Sequence, residues 1–140
     1  FIVVTNKIQF INIYHKSGVL LFSYNFNNMN NEAESNIWGN ILIGLNHILS
    51  EFTEKSSQID VLQTKNTDIV VYYDNIGFAV VISTNRKNEI LEKIMREFAI
   101  EFKIKYNNEL IEIQDLNKLI NISEFNETNQ LIEKYFEMYL

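Results

Sequence analysis

The 140-residue sequence has the length of one domain, residues 1–140, enough to bury roughly 70 % of the surface its unfolded chain would expose. Its hydrophobic content of 46 % and aromatic content of 13 % exclude disorder over most of the chain, and its lack of Cys excludes disulfides, thiolate metal sites and cysteine nucleophiles. Twelve basic against 18 acidic residues give a formal charge of −6 without a basic stripe, which argues against nucleic acid or an anionic membrane as main partner.

The absence of Cys fits a reducing, cytoplasmic setting. The absence of Pro, where average usage gives about seven in this length, goes with heavy use of Asn and Ile and reads as the mark of an AT-rich genome. No apolar run approaches the ~18 residues of a membrane span. Phe1 to Val4 is too short for a signal-peptide core, so no direct membrane insertion is expected.

Ile8 to His15 is rich in β-branched and aromatic residues and leads into Lys16-Ser17-Gly18, a turn with the conformationally permissive residue a hairpin needs. Val19 to Phe26 follows, with Leu20, Phe22, Tyr24 and Phe26 at period two, and completes a predicted β-hairpin. The run of Asn27, Asn28, Asn30 and Asn31 reads as a polar loop. Asn31 can cap a helix over about Glu32 to Phe52, with Glu34 as its reciprocal partner. Its apolar positions are Ile37, Trp38, Ile41, Leu42, Leu45, Ile48, Leu49 and Phe52. Gly39 and Gly44 lie inside it, each costing about 1 kcal/mol relative to Ala, as a close approach to a strand or partner would require.

Three short extended segments come next: Gln58 to Thr64, Asp68 to Tyr73, and Phe78 to Ile82 after the turn Asp74-Asn75-Ile76-Gly77. The last two are nearly continuous apolar runs, as expected of strands covered on both faces, and they imply helices on both sides of a sheet. Tyr72 and Tyr73 point to opposite faces; ordinary sheet packing is the favoured reading for them, with one of the two reaching the surface as the alternative. Asn85 or Asn88 can cap a second helix whose inward stripe is Leu91, Ile94, Met95, Phe98, Phe102 and Tyr106. Glu89, Glu92, Lys93, Arg96, Glu97, Glu101 and Lys103 form its solvated face, with Glu92/Arg96 and Glu101/Lys105 as i,i+4 pairs. Asn107-Asn108 weakens it, and Gln114 to Asn121 reads as a packed loop. Ser123 is a suitable cap for a last helix with Leu131, Ile132, Tyr135, Phe136 and Tyr139 inward. The predicted order is ββαβββαα.

That order, together with the hairpin Tyr14-His15-Lys16-Ser17-Gly18-Val19-Leu20-Leu21-Phe22-Ser23 and the Gly-containing helix around Ile37-Trp38-Gly39, resembles the longin domain, in particular the small longin and roadblock-like proteins of archaea related to eukaryotes. The initial strand and the paired final helices favour longin over roadblock. The resemblance implies an α/β (α+β) three-layer fold of longin or profilin-like type. Its five-stranded, mainly antiparallel sheet has the order 2-1-5-4-3, with one helix on one face and two on the other. It also implies work as a scaffold for small GTPases, in trafficking-type complexes recruited to membranes through partners.

The familiar catalytic patterns are missing. Gly occurs only at positions 18, 39, 44 and 77, so neither a phosphate loop nor a dinucleotide fingerprint can be written, and no cofactor is expected. His15 and His47 lack metal-pair spacing and read as a strand-end and a helix polar-face residue. Ser17 reads as a turn residue, since no Gly-x-Ser-x-Gly surrounds it. The expectation is a non-catalytic interaction module that binds a small Ras-like GTPase or another longin or roadblock domain, a second copy included. Ile37, Trp38, Ile41 and Leu45 are its candidate docking surface. The competing reading is a small-molecule sensor with Phe22, Tyr24, Phe98 and Phe102 around a cavity between sheet and helices; a paired-carboxylate enzyme is the third.

Overall fold

The computed structural model describes residues 7–15, 20–26, 59–63, 67–85, 89–113 and 125–139. Five strands are seen: β1 (Ile8–His15), β2 (Leu20–Asn25), β3 (Ile59–Gln63), β4 (Asp68–Asp74) and β5 (Phe78–Thr84). They form one sheet in the order β2-β1-β5-β4-β3, with every neighbouring pair antiparallel. Three helices follow, α1 (Glu89–Lys105), α2 (Asn107–Ile113) and α3 (Thr128–Tyr135), and a 3₁₀ turn at Glu137–Tyr139. The predicted helix Glu32 to Phe52 and the loop Asn27 to Asn31 lie outside the described residues.

The turn between β4 and β5 is built by its own residues. The Ile76 amide donates to the Asp74 carboxylate at 2.9 Å, the Gly77 amide donates to the Asp74 carbonyl at 3.1 Å, and Gly77 takes φ 114°, a conformation a Cβ would penalise. Asp74 is buried, and Lys103 of α1 reaches it at 3.2 Å while donating to Asn75 at 3.1 Å. This pins the C-terminal part of α1 over the turn.

Strict alternation does not hold along β1. The pairing of β1 with β5 shifts register between Ile8 and Phe10, so Ile8, Ile11 and Ile13 share one core cluster while Phe10 and Tyr14 belong to another. A second shift against β2, between Ile13 and Tyr14, accompanies a change in the expected pattern of that strand: Leu21 is buried, whereas Leu20 is 36 % exposed. Phe22, Tyr24 and Phe26 keep the period-two pattern and pack against the first cluster.

That first cluster is the interface between the sheet and α1, α2 and α3. Val70, Tyr72, Phe78, Val80 and Ile82 of the sheet meet Leu91, Met95, Phe98, Ala99 and Phe102 of α1, with Leu110, Leu131, Ile132 and Phe136 closing it. The opposite sheet face carries Phe10, Tyr14, Ile69, Val71, Tyr73, Ala79 and Val81, all buried. Tyr72 and Tyr73 do point to opposite faces and both are buried, as ordinary sheet packing has it, so neither reaches the surface. Asn12, fully buried in β1, donates to the Tyr14 hydroxyl at 3.3 Å. Burial raises the Tyr14 phenol pKa, and the Asn12 contact partly offsets that.

One sequence expectation is corrected here. The chain breaks at Tyr106 and continues as the separate short helix α2, with Tyr106 and Leu110 buried. The last helix starts at Thr128 with Glu127 in the N-cap position and no side-chain cap; Ser123, the expected cap, lies outside the described residues. Asn88, one of the two candidate caps of α1, also lies outside the described residues. Asn85 accepts from the Lys7 amide at 2.8 Å and its own amide donates back to the Lys7 carbonyl at 3.1 Å, tying the end of β5 to the start of β1.

Phe102 is fully buried, so F102A should cost about 3–5 kcal/mol in urea unfolding. G77A should cost about 1 kcal/mol or more through the turn alone. A loss below 1 kcal/mol for F102A would contradict this packing.

Candidate interaction surface

Ile37, Trp38, Ile41 and Leu45 lie outside the described residues, as do His47 and Ser17. His15 is buried at the end of β1, opposite Phe78 of β5. No group of three or more His, Cys, Asp or Glu able to hold a metal occurs among the described residues.

The aromatics proposed to line a cavity are used for packing. Phe102 lies 5.0 Å from Phe78, 4.9 Å from Tyr106 and 6.0 Å from Phe125, measured between ring centroids, and Phe98 lies 5.4 Å from Phe136. Phe98 and Phe102 are both completely buried; Phe136 stands edge-on to Phe98, while Phe102 is tilted against Phe78 and Tyr106 and stacked with Phe125. Phe22 and Tyr24 are only half-buried on β2. Phe98 and Phe102 are thus packed against other rings, while Phe22 lines a separate pocket of about 250 Å³ with Leu20, Leu21, Ser23 and Asn126.

The described surface feature with interaction character is on α1. Its stripe of Leu91, Met95, Phe98 and Phe102 is buried and Ile94 is half-buried, as the spacing predicts. The outward face is less polar than its charged residues suggest, because Ile90, Ile100 and Ile104 stand on it, 62 %, 55 % and 73 % exposed. Sequence reasoning passed over these three, since they fall between charged residues and off the inward stripe. The available signal was the seven-residue spacing of Ile90, Glu97 and Ile104.

A shallow groove of about 370 Å³ runs beside this face, lined by Glu97, Ile100, Glu101, Ile104 and Tyr135. Its charges are organised between helices. Glu101 bonds Lys134 of α3 at 3.1 Å, and Lys105 bonds Glu127 at 3.1 Å. The expected Glu101/Lys105 partnership is thus replaced by two contacts that tie α1 to the α3 region, although each residue still feels the other's charge. Hydrogen bonds from Tyr135 and Lys134 hold the Glu101 carboxyl below the usual carboxylate range. The same bond to Glu101, helped by burial and by the charges of Glu101 and Glu97, pushes the Tyr135 phenol up to about 12. Nothing in this set resembles an acid–base pair poised near neutrality; the carboxylate is kept ionised and the phenol kept neutral.

No protein-family model matches the sequence, and no curated protein matches it. Among solved structures, the chain is similar to a chain from the structure of the mammalian SRP receptor. The two are 13 % identical, with a TM-score of 0.51, and the match covers 97 % of this chain and 100 % of that one. At this identity the likeness is one of fold. Among the described residues, no helix is long and apolar enough to cross a membrane.

The linkage of the Glu101–Tyr135 contact has two arms. A lowered carboxyl pKa contributes stability above the unfolded value of Glu that is lost as pH falls through the folded value. A raised phenol pKa contributes stability below about 10 that is lost as pH rises towards about 12. Y135F should therefore flatten both arms of a Tm-against-pH curve while changing stability near neutrality by only about 0.5 kcal/mol, the scale of exposed polar pairs. An unchanged alkaline arm in Y135F would exclude Tyr135 as its source.

Proposed function

We propose that this chain is a non-catalytic interaction module of longin type, which docks a small Ras-like GTPase or pairs with another longin or roadblock domain. The observation that carries this reading is the strand order β2-β1-β5-β4-β3 with helices packed on the sheet, joined to a likeness of fold over 97 % of the chain to a chain of the mammalian SRP receptor structure. The strand order is the one that the longin resemblance implies. A module of this kind acts through shape and apolar surface, and it needs neither a nucleophile nor a cofactor.

The small-molecule reading is less well supported, because Phe98 and Phe102 are filled in by Phe78, Phe125 and Phe136. In the leading reading Ile37, Trp38, Ile41 and Leu45 form the docking surface, with Trp38 as its aromatic anchor.

Trp38 is the sole Trp of the chain, so its fluorescence reports directly on that surface. Titration with Ras-like GTPases loaded with GDP or a GTP analogue should change Trp38 emission with a Kd in the micromolar range or tighter. An anchor of this type is worth 2 kcal/mol or more, so W38A should weaken binding about 30-fold, read by calorimetry. Absence of binding in both nucleotide states at about 100 μM would reject the GTPase half of the reading.

A further inference from the structure

Helix α1 presents a face that the described residues leave open. Ile90, Ile100 and Ile104 are more than half exposed, and Lys93 and Glu97 stand exposed among them. Residues seven apart lie almost above one another on a helix, so Ile90, Glu97 and Ile104 form one row with Lys93 and Ile100 in the row beside it. The groove towards Tyr135 lies alongside. Exposed β-branched residues repeating along a helix bury little by themselves and gain by covering one another.

The order of charges on this face is self-complementary when two copies run antiparallel. Around a two-fold axis beside residue 95, each position meets the one equally far on the other side. Ile90 then faces Ile100 of the second copy, and in the next layer inward Lys93 faces Glu97 of the second copy. Symmetry makes each contact twice. Parallel pairing would instead set Lys93 on Lys93 and Glu97 on Glu97. Glu101, which falls opposite Glu89 of the second copy, is already bonded to Lys134, so its charge is offset within its own chain.

We propose that this face of α1 is a self-association surface, on which two copies pair antiparallel with Ile90 against Ile100 and Lys93 against Glu97. The proposal rests on the pairing half of the function proposed above and is independent of the GTPase half. GTPase titration of a monomeric variant is therefore measured separately, so that either half can fail alone.

The test uses the whole chain in light scattering at about 100 μM, where interfaces of micromolar Kd are populated. Wild type should show twice the 16.5 kDa of one chain. K93E alone and E97K alone each set like charges against each other twice, and should fall to the single-chain mass with at least about tenfold weaker association. An equimolar mixture of K93E with E97K should return to the doubled mass, because every facing pair is again of opposite sign; the double variant K93E/E97K should do so by itself. Both residues are exposed, so far-ultraviolet circular dichroism should stay unchanged, and I100D supplies the same loss should either charge variant fail to fold. A wild type of single mass, single variants that stay dimeric, or a mixture that stays monomeric would each overturn the proposal. Flotation of the monomeric chain with neutral vesicles would overturn it as well, assigning the isoleucines to lipid.

Discussion

The described part of the fold depends on the position of Phe102. Its ring lies between Phe78 at the start of β5, Tyr106 at the break after α1, and Phe125 just before α3. One side chain therefore sets the distance of α1 from the sheet and the path of the chain into the final helices. Phe98, one turn earlier, repeats the device towards Phe136 and Tyr135. Aromatic rings bury large areas with few rotatable bonds, so a layer built from them is rigid at low entropic cost. That rigidity holds the outer face of α1 in a fixed place.

Strands and the long helix were legible in the sequence because their signals are local. Hydrophobic runs and period-two patterning locate all five strands to within about two residues, and the stripe from Leu91 to Tyr106 is the buried face of α1. What was not legible depends on partners remote in sequence. The register shift beside Gln9 places Ile8 with Ile11, and Gln9 accepts from the Ser83 hydroxyl of β5, 74 residues away. Alternation alone would have put Ile8 with Phe10. Tyr72 and Tyr73, by contrast, were legible both as opposed residues and as packed ones, because the apolar runs of β4 and β5 already imply a sheet covered on both faces.

Much of the candidate docking surface, Ile37, Trp38, Ile41 and Leu45, rests on sequence pattern and on the longin resemblance. The α1 face has the opposite standing: visible in the structure, and concealed in the sequence by its charges. A row of Glu and Lys on a helix ordinarily signals a solvated surface with pairs one turn apart. Here Lys103 is drawn to Asp74 and Lys105 to Glu127, while Glu101 is met by Lys134. Each of these contacts crosses from one element to another, so the charges serve to position the helices.

Beside these cross-element pairs, Lys93 and Glu97 stand exposed on a strip punctuated by Ile90, Ile100 and Ile104. The apolar part of this strip supplies affinity without direction, whereas the order of its two charges distinguishes antiparallel from parallel pairing. Specificity on this face thus comes from the sequence positions of one Lys and one Glu, one helical turn apart, on a scaffold whose rigidity is set by the aromatic layer beneath.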